Sequence, residues 1–382
     1  MDYAKESLKV HAKNKGKIEV VSKVPVRNQD DLSIAYTPGV AEVCKKIADN
    51  PEDAYKYTSK GNTVAVATDG SAVLGLGNIG PKAALPVMEG KCILFKEFAG
   101  VDAFPILIDT QDTEEFIETI KRISPGFGGI NLEDISAPRC FEIESRLKNE
   151  LQIPVFHDDQ HGTAIVVLAG LINAMRITDR NEQNVRVAIN GAGAAGIAIA
   201  KLLLSYGVED VVVLDSKGAI YKGREEGMNY AKSEIAEYTN VSLEKGGIKD
   251  IIKNKEVFIG VSKGEILDSD DIKSMAPNPI IFALSNPIPE IWPGEAKKGG
   301  AAVIATGRSD FPNQVNNSLV FPGIFKGALE IRAGHITEIM KLKAAEALAD
   351  CVKRPRPGKI IPGPFQKNIA KNIAKAIIDF AK

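Results

Sequence analysis

Two doubled acids stand out in the sequence, Glu133 and Asp134 in N-L-E-D, and Asp158 and Asp159 in H-D-D-Q-H. Each pair follows a short apolar run, F-G-G-I and I-P-V-F, at the point where a strand would end. Carboxylates gathered at one rim repel each other unless a cation sits among them, and hard oxygen donors select Mg2+ or Mn2+. A doubled pair exceeds what one helix cap needs, whereas Asp69 and Asp109, closing two earlier runs, read as caps of the helices that follow. His157 and His161 have the i, i+4 spacing of a zinc helix, which raises a rival class, a zinc hydrolase. That class is disfavoured because the segment opens a helix instead of lying within one, and because Asp stands where the base Glu belongs. The other histidines are His11 and His335.

A second chemistry is written in V-A-I-N-G-A-G-A-A-G-I-A-I-A-K-L-L-L, where an apolar strand runs into Gly191, Gly193 and Gly196 and then into a helix opened by Ala194 and Ala195. This is the G-x-G-x-x-G spacing of a dinucleotide loop in its required strand-turn-helix context. Gly191 permits the tight turn, Gly193 lets the backbone approach a pyrophosphate, and Gly196 allows close packing of helix on strand. Asp215 ends the next apolar run, where an acid binds the adenosine ribose and favours NAD. Lys217 and Arg224 just beyond it could neutralise a 2′-phosphate, so NAD and NADP both stay open.

These groups need a scaffold. Over residues 63–156, T-V-A-V-A-T, C-I-L-F, F-P-I-L-I, F-G-G-I and I-P-V-F alternate with amphipathic stretches at 114–123 and 138–151, the pattern of a parallel sheet with helical crossovers. Cys92, in C-I-L-F, is expected in a strand as a packing residue. A second αβ series starts near Val185 with V-R-V-A-I-N, D-V-V-V-L-D, E-V-F-I-G-V, P-I-I-F-A-L and A-A-V-I-A-T. Between the series, G-T-A-I-V-V-L-A-G-L-I-N-A-M is apolar on every face and is expected as a buried helix joining two domains. The fold class expected is α/β. An N-terminal substrate and metal domain covers 1–160, and a Rossmann-type dinucleotide-binding domain with a helical tail covers 161–382.

Composition agrees. The chain has 382 residues, enough for two domains, and its 48 Lys plus Arg against 49 Asp plus Glu give a charge of -1. No global field draws such a chain to nucleic acid or to an anionic membrane. Hydrophobic residues at 44% and charged residues at 25% are globular values and argue against disorder. The N-terminus is charged throughout and lacks a secretory signal, and the longest uncharged apolar run, 162–175, is too short to span a membrane. Cys44, Cys92, Cys140 and Cys351 stand far apart, as reduced thiols of a cytoplasmic protein.

Taken together, Y-T-P-G-V-A, V-A-T-D-G-S-A-V-L-G-L-G-N-I-G, E-G-K-C-I-L-F, N-L-E-D-I, F-H-D-D-Q-H-G-T-A, the dinucleotide loop and L-S-N-P resemble, in order and spacing, a malic enzyme of the short prokaryotic type, over about residues 36–323. The resemblance implies oxidative decarboxylation of L-malate to pyruvate and CO2, with NAD or NADP reduced, Mg2+ or Mn2+ bound, and a homo-oligomer, first of all a dimer. It implies Tyr36 as general acid, Lys91 as general base, and Glu133, Asp134 and Asp159 as metal ligands. Lys91, Asn286 and Asn317 would contact substrate, with Asn286 also touching the nicotinamide end of the cofactor. Without the resemblance these residues read as a Tyr in a proline turn, a solvated Lys and turn-forming Asn. One departure concerns Ala72, where longer malic enzymes carry an arginine that holds a substrate carboxylate; another cation or backbone donors must serve here. The alternatives are a malolactic or oxaloacetate-decarboxylating variant, a glutamate- or leucine-type dehydrogenase, which has no use for the acid cluster, and a catalytically silent nucleotide-binding regulator.

Overall fold

A computed structural model describes residues 2–73 and 75–381; Leu74, inside the motif V-A-T-D-G-S-A-V-L-G-L-G-N-I-G, lies outside them. The first sheet contains β1 (Thr63–Thr68), β2 (Asp102–Leu107), β3 (Gly129–Leu132) and β4 (Val155–His157), all parallel, in the order β2-β1-β3-β4. The second contains β5 (Arg186–Asn190), β6 (Asp210–Asp215), β7 (Gly218–Ala219), β8 (Val257–Gly260), β9 (Ile280–Ala283) and β10 (Val303–Thr306), in the order β10-β9-β8-β5-β6-β7. Only the β6–β7 pair is antiparallel.

In both sheets the chain leaves a central strand in one direction and later returns to its other side. Those switch points, between β1 and β3 and between β5 and β8, open a crevice at the carboxyl ends of the strands, where open α/β sheets bind ligands. The acids of N-L-E-D sit just past β3, and the glycine loop just past β5.

The strands alternate even where every residue is buried. Val64 and Val66 of β1 face a core shared with the Gly80–Ala99 helix, while Ala65 and Ala67 face a second core under the Thr113–Ile123 and Arg139–Glu150 helices. The first core does not stop at the domain boundary. It continues through the Thr163–Thr178 helix to Val187 and Ile189 of β5 and to the helices Ala194–Tyr206, Phe321–Glu330, Glu338–Asp350 and Ile369–Phe380. Phe95 meets Phe321 and Phe325 at ring distances of 4.7 and 5.4 Å, and Phe156 meets Phe325 at 5.9 Å. The tail thus packs against both halves.

Three expectations change. C-I-L-F is helical and lies within Gly80–Ala99, whose buried positions Ala84, Met88, Cys92, Phe95 and Ala99 keep the helical period. Its apolar run and Pro86 imitate a strand, and a run that short cannot be assigned by periodicity alone. Asp69 and Asp109 cap no helix: Asp112 caps the Thr113–Ile123 helix, and Asp69 closes a side-chain turn with Ser71. The joining helix gains a turn from H-D-D-Q-H, so that Asp158–Thr178 reaches 21 residues, long and apolar enough to cross a membrane, yet 72% of its apolar window is buried inside the protein.

Candidate active site

The joining helix begins with a π-helical turn, Asp158–Gly162, directly after β4. This wider turn swings Asp158 inward, and only glycine fits at 162, where a Cβ would lie 2.0 Å from Asp158 Oδ1. Asp158 is fully buried and receives Lys91 Nζ at 2.5 Å. The same ammonium lies 2.9 Å from Glu133 Oε1, 3.3 Å from Asn317 Oδ1 and 4.8 Å from the centre of the Phe321 ring. Asn317 comes from the second half of the chain.

Around this lysine, oxygens of Glu133, Asp134 and Asp159 lie within 4.8 Å of one another, the one such group of ligand-type side chains among the described residues. Asp134 has a left-handed φ of 54°, unusual for a non-glycine residue, and its N–H donates to Asp159 Oδ2 at 2.9 Å. Glu133 and Asp134 are each 3% exposed. Burial favours the neutral form of Glu133, and with Asp159, Asp158 and Asp134 it raises that carboxyl well above the usual range despite Lys91. Burial likewise raises Asp158 against the pull of Lys91. For Lys91 itself burial works the other way, but the carboxylates of Asp158, Glu133 and Asp159 outweigh it and keep the amine protonated. Converging carboxylate oxygens, those of Glu133 and Asp134 buried and that of Asp159 partly exposed, facing a single ammonium are the donor set of a hard divalent cation.

The loop carrying Ala72 is fastened to the loop after β3. Ala72 N–H donates to Asp134 O at 2.9 Å, Ser136 N–H to Ser71 Oγ at 2.9 Å, and Arg139 Nη1 to Asp69 Oδ2 at 2.8 Å. The backbone donor of Ala72 is therefore taken. Arg139 Nε and Nη2 are buried without a hydrogen-bond partner among the described residues.

Gly191 has φ 125°, and a Cβ there would press on Val261 O at 2.7 Å. A Cβ at Gly196 would lie 1.7 Å from Gly191 O, whereas at Gly193 it would meet nothing within 4 Å. The Ala194–Tyr206 helix starts here with no side-chain cap, leaving its first N–H groups for an anion. That space fits a pyrophosphate. Ala194 and Ala195 form its first turn, and Ala194 packs against the core of the first sheet. Tyr230 Oη donates to Pro138 O at 2.8 Å, closing the same interdomain seam.

Asn286 does not contact Lys91; it lies opposite the Gly75 loop, where a Cβ on Gly75 would come 4.0 Å from Asn286 O. Tyr36 ends the Gln29–Ala35 helix, is 67% exposed and makes no side-chain hydrogen bond among the described residues. His157 and His161 do not pair around a metal. His161 Nε2–H donates to Glu144 Oε2 at 2.9 Å and its Nδ1 accepts from Lys341 Nζ at 3.0 Å, so both ring nitrogens are engaged. Asp158, grouped with the acids in the sequence but given no role of its own, and Arg139 and Lys232, which the sequence did not single out, prove to be the partners of Lys91, Asp69 and Asp215. The doubled D-D was a signal for Asp158, but nothing local marks the other two.

Two switch points meeting at one seam, one acidic and one shaped for a pyrophosphate, define the class: a dinucleotide-dependent α/β enzyme with a divalent-cation centre. Residues 15–148 match the family model of the malic enzyme N-terminal domain, and residues 160–382 that of the malic enzyme NAD binding domain. The chain belongs to the malic enzyme family. It is 58% identical over 379 residues to a bifunctional malic/malolactic enzyme of Bacillus subtilis, covering 99% of this chain and 92% of that one. It is 56% identical over 368 residues to an NAD-dependent malic enzyme of Geobacillus stearothermophilus, covering 96% and 77%. The crystal structure of an NAD-dependent malic enzyme from Thermotoga maritima superposes with a TM-score of 0.95 at 50% identity, covering 97% and 98%.

Proposed function

We propose that the protein oxidatively decarboxylates L-malate to pyruvate and CO2 and reduces NAD or NADP. Residues 1–160 would form the substrate and metal domain, and 161–382 the dinucleotide domain. The observation that carries this reading is Lys91, largely enclosed between Glu133 and Asp158 and bonded to Asn317 from the far half of the chain. A base that takes the C2 hydroxyl proton as hydride leaves must sit at the junction of metal and cofactor. Asp158, at 2.5 Å, is placed to accept the proton that Lys91 gives up before it acts. Glu133, Asp134 and Asp159 would hold the divalent cation, which when bound polarises the C2 oxygen and offsets the carboxylate field that keeps Lys91 protonated. Asn317 and Asn286 would orient substrate and nicotinamide. Arg139, the cation tied to the Asp69–Ala72 loop, would receive the carboxylate for which Ala72 has no side chain. Arg139→Met should then raise the KM for malate by about ten- to a hundredfold, the value of a lost charge-assisted hydrogen bond, without weakening cofactor binding.

Tyr36 is read as the acid that protonates C3, because a phenol with a pKa near 10 stays protonated at neutral pH. Its exposure, together with the exposed Leu32, Ile34 and Val26 beside it, supports a homodimer in which a second copy receives this segment and Tyr36 enters the partner's site. Absorbance at 340 nm with L-malate, Mn2+ and either cofactor tests the reaction; no reduction with either overturns it. Mixing inactive Lys91→Ala with inactive Tyr36→Phe tests the exchange. If subunits reassort, one site in each mixed dimer is intact, and about a quarter of wild-type activity should return. No recovery after confirmed exchange would place Tyr36 in its own subunit's site.

The bifunctional Bacillus relative favours a second activity on the same residues, conversion of malate to lactate with the cofactor recycled. Lactate formed without net absorbance change would establish it.

A further inference from the structure

With a pyrophosphate on the glycine loop after β5 and the adenosine beside the end of β6, the other half of a dinucleotide crosses over the carboxyl ends of β8 and β9. Two loops meet there, residues 261–264 after β8 and residues 284–289 after β9. A carboxylate that the proposed chemistry does not use lies between them. Glu290 is 0% exposed; its Oε1 accepts the Ser262 N–H at 3.0 Å and its Oε2 the Ser285 N–H at 3.0 Å. One oxygen serves each loop.

No lysine or arginine neutralises this group among the described residues. Burial raises the Glu290 carboxyl above the usual range, although both N–H groups favour its charge. A buried charge without a counter-ion costs stability, so packing alone does not account for it. The chain nonetheless makes room for it. A Cβ on Gly260, the last residue of β8, would lie 2.4 Å from Glu290 Cδ, so the strand ends in glycine where the carboxyl is seated. Glu290 O accepts the N–H groups of Ile266 and Leu267 at 3.0 and 3.1 Å, which pins the residue itself.

The two loops lead to different parts of the active site. Ser262 Oγ accepts Asn190 Nδ2 at 2.6 Å, and a Cβ on Gly191 would come within 2.7 Å of Val261 O. Ser285 Oγ donates to Ser262 O at 3.3 Å, and Asn286, the next residue, lies opposite the Gly75 loop. Glu290 thus ties the glycine loop to the Asn286 turn. Glutamine is no substitute, because its single carbonyl oxygen accepts from one loop while its NH2 group confronts the N–H of the other.

We infer that Glu290 is a positioning residue for hydride transfer, holding the 261–264 and 284–289 loops at the spacing that sets the nicotinamide against the malate carbon. The inference rests on the proposed malate oxidation, in which a misplacement of about 1 Å costs roughly a hundredfold in rate.

Calorimetric titration of the full-length protein with NADH or NADPH, and with the matching ADP-ribose fragment, isolates the contribution of the nicotinamide. Glu290→Gln should leave the fragment affinity within about twofold. The advantage of whole cofactor over fragment should fall by about tenfold or more. In turnover, kcat should fall by about a hundredfold, and the isotope effect of 2-deuterated malate should rise because hydride transfer alone has slowed. Glu290→Asp, which keeps the charge on a shorter arm, should lie between wild type and Glu290→Gln. An unchanged advantage, or an unchanged isotope effect, overturns the inference. Parallel loss of fragment affinity in both variants also overturns it, since Glu290 would then merely hold the fold. A wild type that oxidises no malate counts against the proposed function, whereas normal wild-type turnover with unaltered variants counts against Glu290 alone.

Discussion

Lys91 would pass for a solvated surface residue in the sequence, since E-G-K-C carries no pattern that separates a base from a solubilising charge. Its meaning comes from Asp158, Glu133 and Asn317, brought to it by two strand ends and by a loop from the other half of the chain. Lys91→Ala should lower kcat by roughly 10² or more, the usual contribution of a general base, with malate still binding in the presence of Mn2+. Asp159→Asn should act differently, weakening Mn2+ binding in titrations while NAD(P) affinity persists. Unchanged Mn2+ affinity would remove Asp159 from the ligand set. The acids were legible because doubling exceeds a cap's needs. Asp215 was legible as a position but not as a paired acid, because Lys232 reaches it from a helix that begins only at Tyr230, and no spacing rule joins the two.

At the level of elements, the π-helical turn is braced from outside by the Arg139–Glu150 and Glu338–Asp350 helices. Glu144 accepts the His157 N–H at 3.0 Å, the His161 ring at 2.9 Å and Lys148 at 2.7 Å, and Lys341 closes the group from the tail. Burial opposes ionisation of Glu144, yet His161, Lys148 and Lys341 hold its carboxyl well below the usual range. Such a group stabilises the fold fully above its unfolded pKa of about 4.3, and the contribution fades as pH falls toward the lower folded value. Glu144→Gln should therefore lower the unfolding free energy measured by urea titration at pH 7, by about 3 to 5 kcal/mol if Lys148 and Lys341 are left unneutralised, and the gap should narrow below about pH 4. The glycine loop separates function from folding in the same manner. Gly193→Val should block cofactor titration without lowering the melting temperature, because its Cβ points into open space, whereas Gly196→Val should destabilise the fold through contact with Gly191 O. Strands β1 to β6 and β8 to β10 were visible as apolar runs between polar segments. C-I-L-F was not, because buried helices and buried strands share that composition.

Across the whole molecule, the sequence suggests two domains, but the packing joins them. One apolar core runs from β1 through the Thr163–Thr178 helix to β5, and the Phe321–Glu330 helix seals the face of the first sheet with Phe321 and Phe325. Calorimetric unfolding should show a single transition; two resolved transitions would mean that the shared core contributes little to cooperativity. Fragments cut at residue 160 should accordingly fail to fold alone. The same arrangement bears on how the protein is made. Lys91 hydrogen-bonds Asn317, 226 residues further along the chain, and the aromatic cover of Phe95 arrives with it. At about 5 to 20 residues per second, a ribosome needs roughly 10 to 45 s to deliver that cover after the lysine helix has emerged. For that interval the nascent first sheet displays Val64, Val66, Phe95 and Phe156 without their partners. This is a window in which a chaperone has something to hold, and in which no half-made chain can carry a finished catalytic centre.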